Sequence, residues 1–152
     1  MQRTLLLALI VGLASFLGCR TGPDYGPTGT VAGKLTMDGK PLAPQTNVVF
    51  MHPEKGYLAY ATTDAEGKFQ ITGWHDGNMK NGPELPVGTY RVMIQPPASQ
   101  TAEPTAEERL ANPRQQAPKS EIPQKYRQTH TSGLQYEIKP GANDFPIDLK
   151  KE

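Results

Sequence analysis

The chain of 152 residues contains a single cysteine, so a disulfide framework and any cysteine-based metal site are excluded. Its charge is nearly balanced, with 16 Lys and Arg against 15 Asp and Glu. Without a basic excess, electrostatic nucleic-acid binding has no footprint, and nucleic acid is not expected among its partners. Aromatic residues are sparse at 7%, and only one tryptophan is present. Proline and glycine are abundant, at 15 each. Frequent proline excludes long helical bundles and coiled coils, because an interior proline breaks a helix. Hydrophobic residues make up 36% of the chain, but a cluster of them lies at the N-terminus. The length supports one modest core.

After Met1-Gln2-Arg3-Thr4, residues Leu5 to Leu17 form an uncharged run of 13 residues. A membrane-spanning helix needs about 20 apolar residues, so this run fits a secretory signal of residues 1–18 better than a stable span. It closes on Phe16-Leu17-Gly18-Cys19. A small residue directly before a lone cysteine resembles the bacterial lipoprotein signal. The resemblance implies cleavage between Gly18 and Cys19 and acylation of Cys19, for example by palmitate. Phe16 departs from the leucine usual at that place. An unpaired exposed thiol would otherwise be a liability in an exported protein. Two or more acyl chains anchor a protein stably where one does not. Loss of Arg3 leaves 15 basic and 15 acidic residues, so lipid charge is not needed for attachment. Arg20, in place of an aspartate, favours the outer membrane over the inner one by the same resemblance.

Residues 19–28 read as the lipidated cysteine and a flexible Gly/Pro tether. From Gly29, apolar residues recur with period two, the signature of a strand with one buried face. Strands are expected at Gly29 to Met37, Asn47 to His52, Tyr57 to Thr63, Lys68 to Thr72, Thr89 to Gln95, Leu134 to Ile138 and Phe145 to Leu149. Asn47 to His52 is apolar on both sides. Asp64 to Gly67 supplies a turn that pairs the third and fourth strands as a hairpin. Lys40-Pro41 belongs at an edge or outside the sheet. Residues 73–86 read as a loop, and Lys139 to Asn143 as a turn. Residues 96–132 form a Pro-rich insertion, with a short helix predicted at Thr105 to Ala111 and with Ile122 and Tyr126 able to dock on the core. Seven short strands with turn signals between them specify an all-β fold, an antiparallel β-sandwich over residues 29–150.

Several motifs carry a family resemblance. They are Gly29-Thr30-Val31-Ala32-Gly33, Asp38-Gly39-Lys40-Pro41-Leu42, Thr63-Asp64-Ala65-Glu66-Gly67-Lys68-Phe69 and Pro86-Val87-Gly88-Thr89-Tyr90-Arg91-Val92. Together they resemble a carboxypeptidase regulatory-like, or transthyretin-like, domain. Ile122 to Tyr126, Thr131 to Leu134 and Lys139 to Asn143 are similar to segments of small bacterial lipoproteins carrying it. The resemblance implies a seven-stranded, Ig-like sandwich acting as an accessory, adhesive or structural module. Envelope proteins are the partners expected of such a module; the alternative is a carbohydrate- or peptide-binding module using Trp74 and neighbouring loops, with envelope glycans as partners.

Motifs for chemistry are few. His52, His75 and His130 are scattered, and the chain ends Asp148-Leu149-Lys150-Lys151-Glu152, without the Tyr-Arg-Gly-Ser ending of transthyretin-like hydrolases. A hydrolase would require the three histidines to converge. There is no nucleophile elbow, metalloprotease helix or phosphate loop, so neither catalysis nor a cofactor is expected. His75-Asp76-Gly77-Asn78 and the pair Asp64 and Glu66 have too few oxygen ligands for a calcium loop and suit turns instead. Trp74, His75 and Asp76 remain the candidate ligand-binding residues, with Trp74 either a stacking platform or a cover for the core. Tyr57 and Tyr60 present the same choice.

Overall fold

The computed structural model describes residues 23–77, 79–97 and 120–151. The signal, Cys19, the helix predicted at Thr105 to Ala111 and Asn78 lie outside the described residues. Among them the fold is all-β, with two sheets and no α-helix.

The first sheet is organised around β1 (Thr28–Met37), whose alternating burial follows from Val31, Gly33, Leu35 and Met37 facing inward. Along its whole length β1 pairs with β11 (Gly141–Leu149). Its other side is tiled by three short antiparallel pieces, β2 (Lys40–Pro41), β5 (Lys68–Gln70) and β8 (Leu85–Pro86). The second sheet runs in the order β10 (Leu134–Ile138), β9 (Gly88–Gln95), β3 (Asn47–Met51), β4 (Leu58–Thr62), β6 (Gly73–Asp76) and β7 (Met79–Asn81), all antiparallel. The inner faces share one core, and Phe50 of the second sheet lies 6.3 Å, centroid to centroid, from both Phe69 and Phe145 of the first.

Four expectations are corrected. The segment read as a loop at 73–86 contains β6, β7 and β8, because Trp74 and Leu85 are core residues despite their glycine- and asparagine-rich surroundings. The expected hairpin of the third and fourth strands is a corner between sheets. β4 pairs with β3 and β6, whereas β5 pairs with β1. Gly67 decides this, since its carbonyl accepts the Leu35 N–H at 2.7 Å. Its φ of +78° and the Leu35 carbonyl, 2.5 Å from where a Cβ would stand, leave room only for glycine. The sandwich is also not wholly antiparallel, because β1 and β11 run parallel from Gly29 opposite Gly141 to Met37 opposite Leu149. Finally, the described residues form eleven strand segments rather than seven.

The β1–β11 contact is unusually close at two glycines. A Cβ on Gly29 would stand 2.2 Å from the Lys139 carbonyl oxygen, and one on Gly33 would stand 2.2 Å from that of Phe145. Pro146 is tolerated within β11 because that strand lies at the sheet edge. Lys40-Pro41 likewise forms only a two-residue edge piece, as expected.

The later part of the insertion docks on the core. Ile122 is 2% exposed and Tyr126, on a single 3-10 turn (Gln124–Arg127), is 8% exposed. The Tyr126 hydroxyl accepts the Lys150 N–H at 3.1 Å, tying this segment to the end of β11.

Candidate functional site

The chain's polar and aromatic chemistry gathers at the end of the sandwich where β1, β9 and β11 begin and β3 and β6 finish. Tyr25, expected in a flexible tether, is docked there. Its hydroxyl donates to Asp76 Oδ2 at 3.1 Å. Its ring stands edge-on to Trp74 at 4.8 Å and to Tyr57 at 5.8 Å. The neighbouring residues are also fixed: Gly26 N–H donates to Asp24 Oδ1 at 2.9 Å, and Val87 N–H donates to the Pro27 carbonyl at 3.0 Å. From Tyr25 onward, therefore, the tether is part of the domain. The sequence signal was an aromatic residue in an otherwise Gly/Pro/polar segment, which composition alone passes over.

Strand alternation explains why Trp74 and Asp76 share one face of β6 while His75 lies on the other. Trp74 points inward and is 2% exposed, its indole N–H donating to the Glu84 carbonyl at 2.9 Å. Tyr57 covers it at 4.9 Å. Trp74 is thus a core cover and offers no open face for stacking a sugar. Asp76 is half-buried and takes the Tyr25 proton donor. Burial first, and then that hydrogen bond to a carboxylate, raise the Tyr25 pKa above the usual phenol value. Asn81, opposite Trp74 in the register, has a buried Nδ2 without a partner at hydrogen-bonding geometry, although its side chain opposes the rise at Tyr25. His75 faces the other side of the sheet, 6.2 Å from the Tyr60 ring.

His52 closes the aromatic end from β3. It packs against Tyr90 at 5.1 Å and Tyr57 at 5.8 Å. Its Nδ1 accepts the backbone N–H groups of Glu54 and Lys55, both at 3.3 Å. Gly88 makes space for the ring, since a Cβ there would stand 2.8 Å from Nε2. Tyr90 is fully buried and donates to the Pro86 carbonyl at 3.0 Å, and burial pushes its pKa up. The three histidines do not converge. His52 and His75 lie on opposite faces of the second sheet, and His130 sits in the exposed turn that leads into the far end of β10.

Asp64 acts as a turn residue, its Oδ1 accepting the N–H groups of Glu66 at 3.0 Å and Lys68 at 2.8 Å. Glu66 is exposed beside it. Among the described residues, no three of His, Cys, Asp and Glu are grouped to hold a metal ion. An open groove of about 670 Å³ runs along the outside of the first sheet, where Lys34 and Lys68 alternate with Asp64 and Asp144. Its mixed charge and exposure define no single ligand.

The second sheet's outer face is more distinctive. Val48 and Phe50 point into the core, so Val49 and Met51 point out. In register, Val49 lies between Tyr60 and Met93, and Met51 between Leu58 and Arg91. Val49 is fully buried, whereas Tyr60 is 45% exposed. Both faces of β3 are therefore apolar, as its sequence indicated. No family model, curated protein or solved structure matches the chain.

Proposed function

We propose that the chain is an exported, lipid-anchored envelope protein whose β-sandwich serves a structural or protein-association role, and that it is not an enzyme. The carrying observation is the uncharged run ending at Gly18-Cys19 in a chain with no second cysteine. Acylation of Cys19 would place the domain at a membrane surface, the outer membrane by the Arg20 criterion, with no need for charge attraction. The resemblance to carboxypeptidase regulatory-like lipoproteins belongs to this reading, and the two-sheet, all-β architecture is the coarse arrangement it implies.

The outer face of the second sheet supports the association role. A solvated face of an antiparallel sheet is ordinarily polar. Here the exposed Tyr60 and the partly exposed Met51, Leu58 and Met93 form one apolar band, with Arg91 and His75 beside it. Such a band is a surface for envelope proteins to rest on. Glycan stacking on Trp74 is left out of the reading because the indole is enclosed.

Metabolic labelling with palmitate tests the anchor. Wild-type chain should take up label and fractionate with membranes, and Cys19→Ser should do neither. Equal labelling of both chains, or labelling of neither, overturns the proposal.

A further inference from the structure

The docked Tyr25 restricts how an anchored sandwich can sit on a bilayer. Only five residues lie between Cys19 and Tyr25, which are six Cα–Cα steps apart. At full extension they span at most about 21 Å. β1, with its ten residues, runs about 33 Å from the Tyr25 end to the Asp38-Gly39 end. The leash is therefore shorter than the domain, and the Gly39 end cannot face the lipid while Tyr25 keeps its place.

The composition of the Tyr25 end suits a headgroup region. Two of the six tyrosines, Tyr25 and Tyr57, are partly exposed there, backed by the buried Trp74 and Tyr90. Tyrosine favours membrane–water interfaces. Met79, 49% exposed, begins β7 opposite Asp76 at this same end. Among the described residues only Met79 and Tyr60 are large, exposed hydrophobics, and the Gly39 end has neither. Exposed charges of both signs surround the Tyr25 end, Lys55, Lys80 and Lys139 beside Asp24, Glu54 and Glu84. A neutral lipid surface therefore suffices.

We infer that the Tyr25 end is the membrane-facing end, with Met79 at headgroup level and the Tyr25–Asp76 clasp keeping the leash short. The inference rests on acylation of Cys19.

The test uses the full chain, acylated in cells and placed in phosphatidylcholine nanodiscs doped with a gadolinium-chelate headgroup lipid. Amide signals of Gly56 and Gly77 report the Tyr25 end, and those of Gly39 and Ala65 the other. Loss of the first pair with retention of the second is expected, unaltered by salt. In Tyr25→Ala the leash lengthens to nine Cα–Cα steps, up to Thr28, and the difference between the ends should shrink. Even bleaching, or stronger bleaching at Gly39 and Ala65, on chain whose Cys19 carries acyl mass overturns the orientation alone. An unchanged difference in folded Tyr25→Ala overturns the role of the clasp. Absence of acyl mass on Cys19 overturns the anchor itself.

Discussion

Asp148 shows how much one exposed residue of β11 organises. Its Oδ1 accepts from Thr36 Oγ1 at 2.8 Å and from the Gly39 N–H at 2.9 Å, and its Oδ2 meets the Lys150 ammonium. The Lys150 hydrogen bond first, then those from Gly39 and Thr36, lower its pKa to about 2. A carboxylate with a depressed folded-state pKa stabilises the fold above its unfolded pKa, and that contribution fades as the folded pKa is approached from above. Urea midpoints should therefore fall between about pH 4 and pH 2, by an amount kept small by solvent and salt. Asp148→Asn should flatten that part of the profile, and an identical profile in the variant would exclude the assignment.

Gly33 carries a larger cost at the same scale. Its missing side chain lets the Phe145 carbonyl approach, and a Cβ at 2.2 Å cannot be absorbed by a flexible neighbour, because the obstacle is backbone. Gly33→Ala should destabilise the domain by about 3 kcal/mol. Gly39→Ala meets open space and pays only for its positive φ, about 1 kcal/mol. Chemical denaturation of the two variants separates steric from conformational cost.

At the scale of elements, the informative joints are those that carry the chain between sheets. The passage from β10 to β11 is held by one side chain. Asn143 Oδ1 accepts the Lys139 N–H at 2.9 Å, while Nδ2 donates to the carbonyls of Lys139, Gly141 and Thr30 at 2.8, 3.1 and 3.2 Å. The turn expected over Lys139 to Asn143 is accordingly shorter, β11 starting at Gly141, with Asn143 acting back on the turn from within the strand. Asn143→Ala should cost about 2 kcal/mol, from several hydrogen bonds each worth about 1 kcal/mol net. Hydrogen exchange should quicken at the amides of Thr30 and Val31 before those of β3. Uniform exchange would place the joint's role elsewhere.

The Asp64 turn illustrates the opposite relation between local and distant forces. Its Asx hydrogen bonds are those of a tight turn, and sequence signals identify it well. Turn chemistry nevertheless does not say which strand the outgoing chain will join. That choice is made by Gly67 and Leu35, 32 residues apart in sequence and bonded through the backbone.

For the whole molecule, Phe50 is the point where the two sheets meet. It is fully buried, with Phe69, Phe145 and Tyr136 within 6.4 Å, centroid to centroid. Phe50→Ala should destabilise both sheets together, by about 3–5 kcal/mol. One cooperative transition by near- and far-ultraviolet circular dichroism is expected, and separate transitions would show two independent cores.

Period-two alternation in the sequence determined that the described domain is all-β and which residues of the long strands face inward, because alternating side chains necessarily lie on opposite faces of a strand. It also marked β3 as apolar on both sides and the lone Cys19 as the chemically distinctive residue. Pairing was a matter for tertiary structure. The parallel partnership of β1 with β11, the division of β4 and β5 between sheets, and the strands around Trp74 depend on contacts between residues far apart in sequence. So does the docking of Tyr25, which turned a flexible-looking tether into part of the fold. A ring beside glycine and proline has no local partner, and only the folded end of the sandwich supplies Trp74, Tyr57 and Asp76 to hold it.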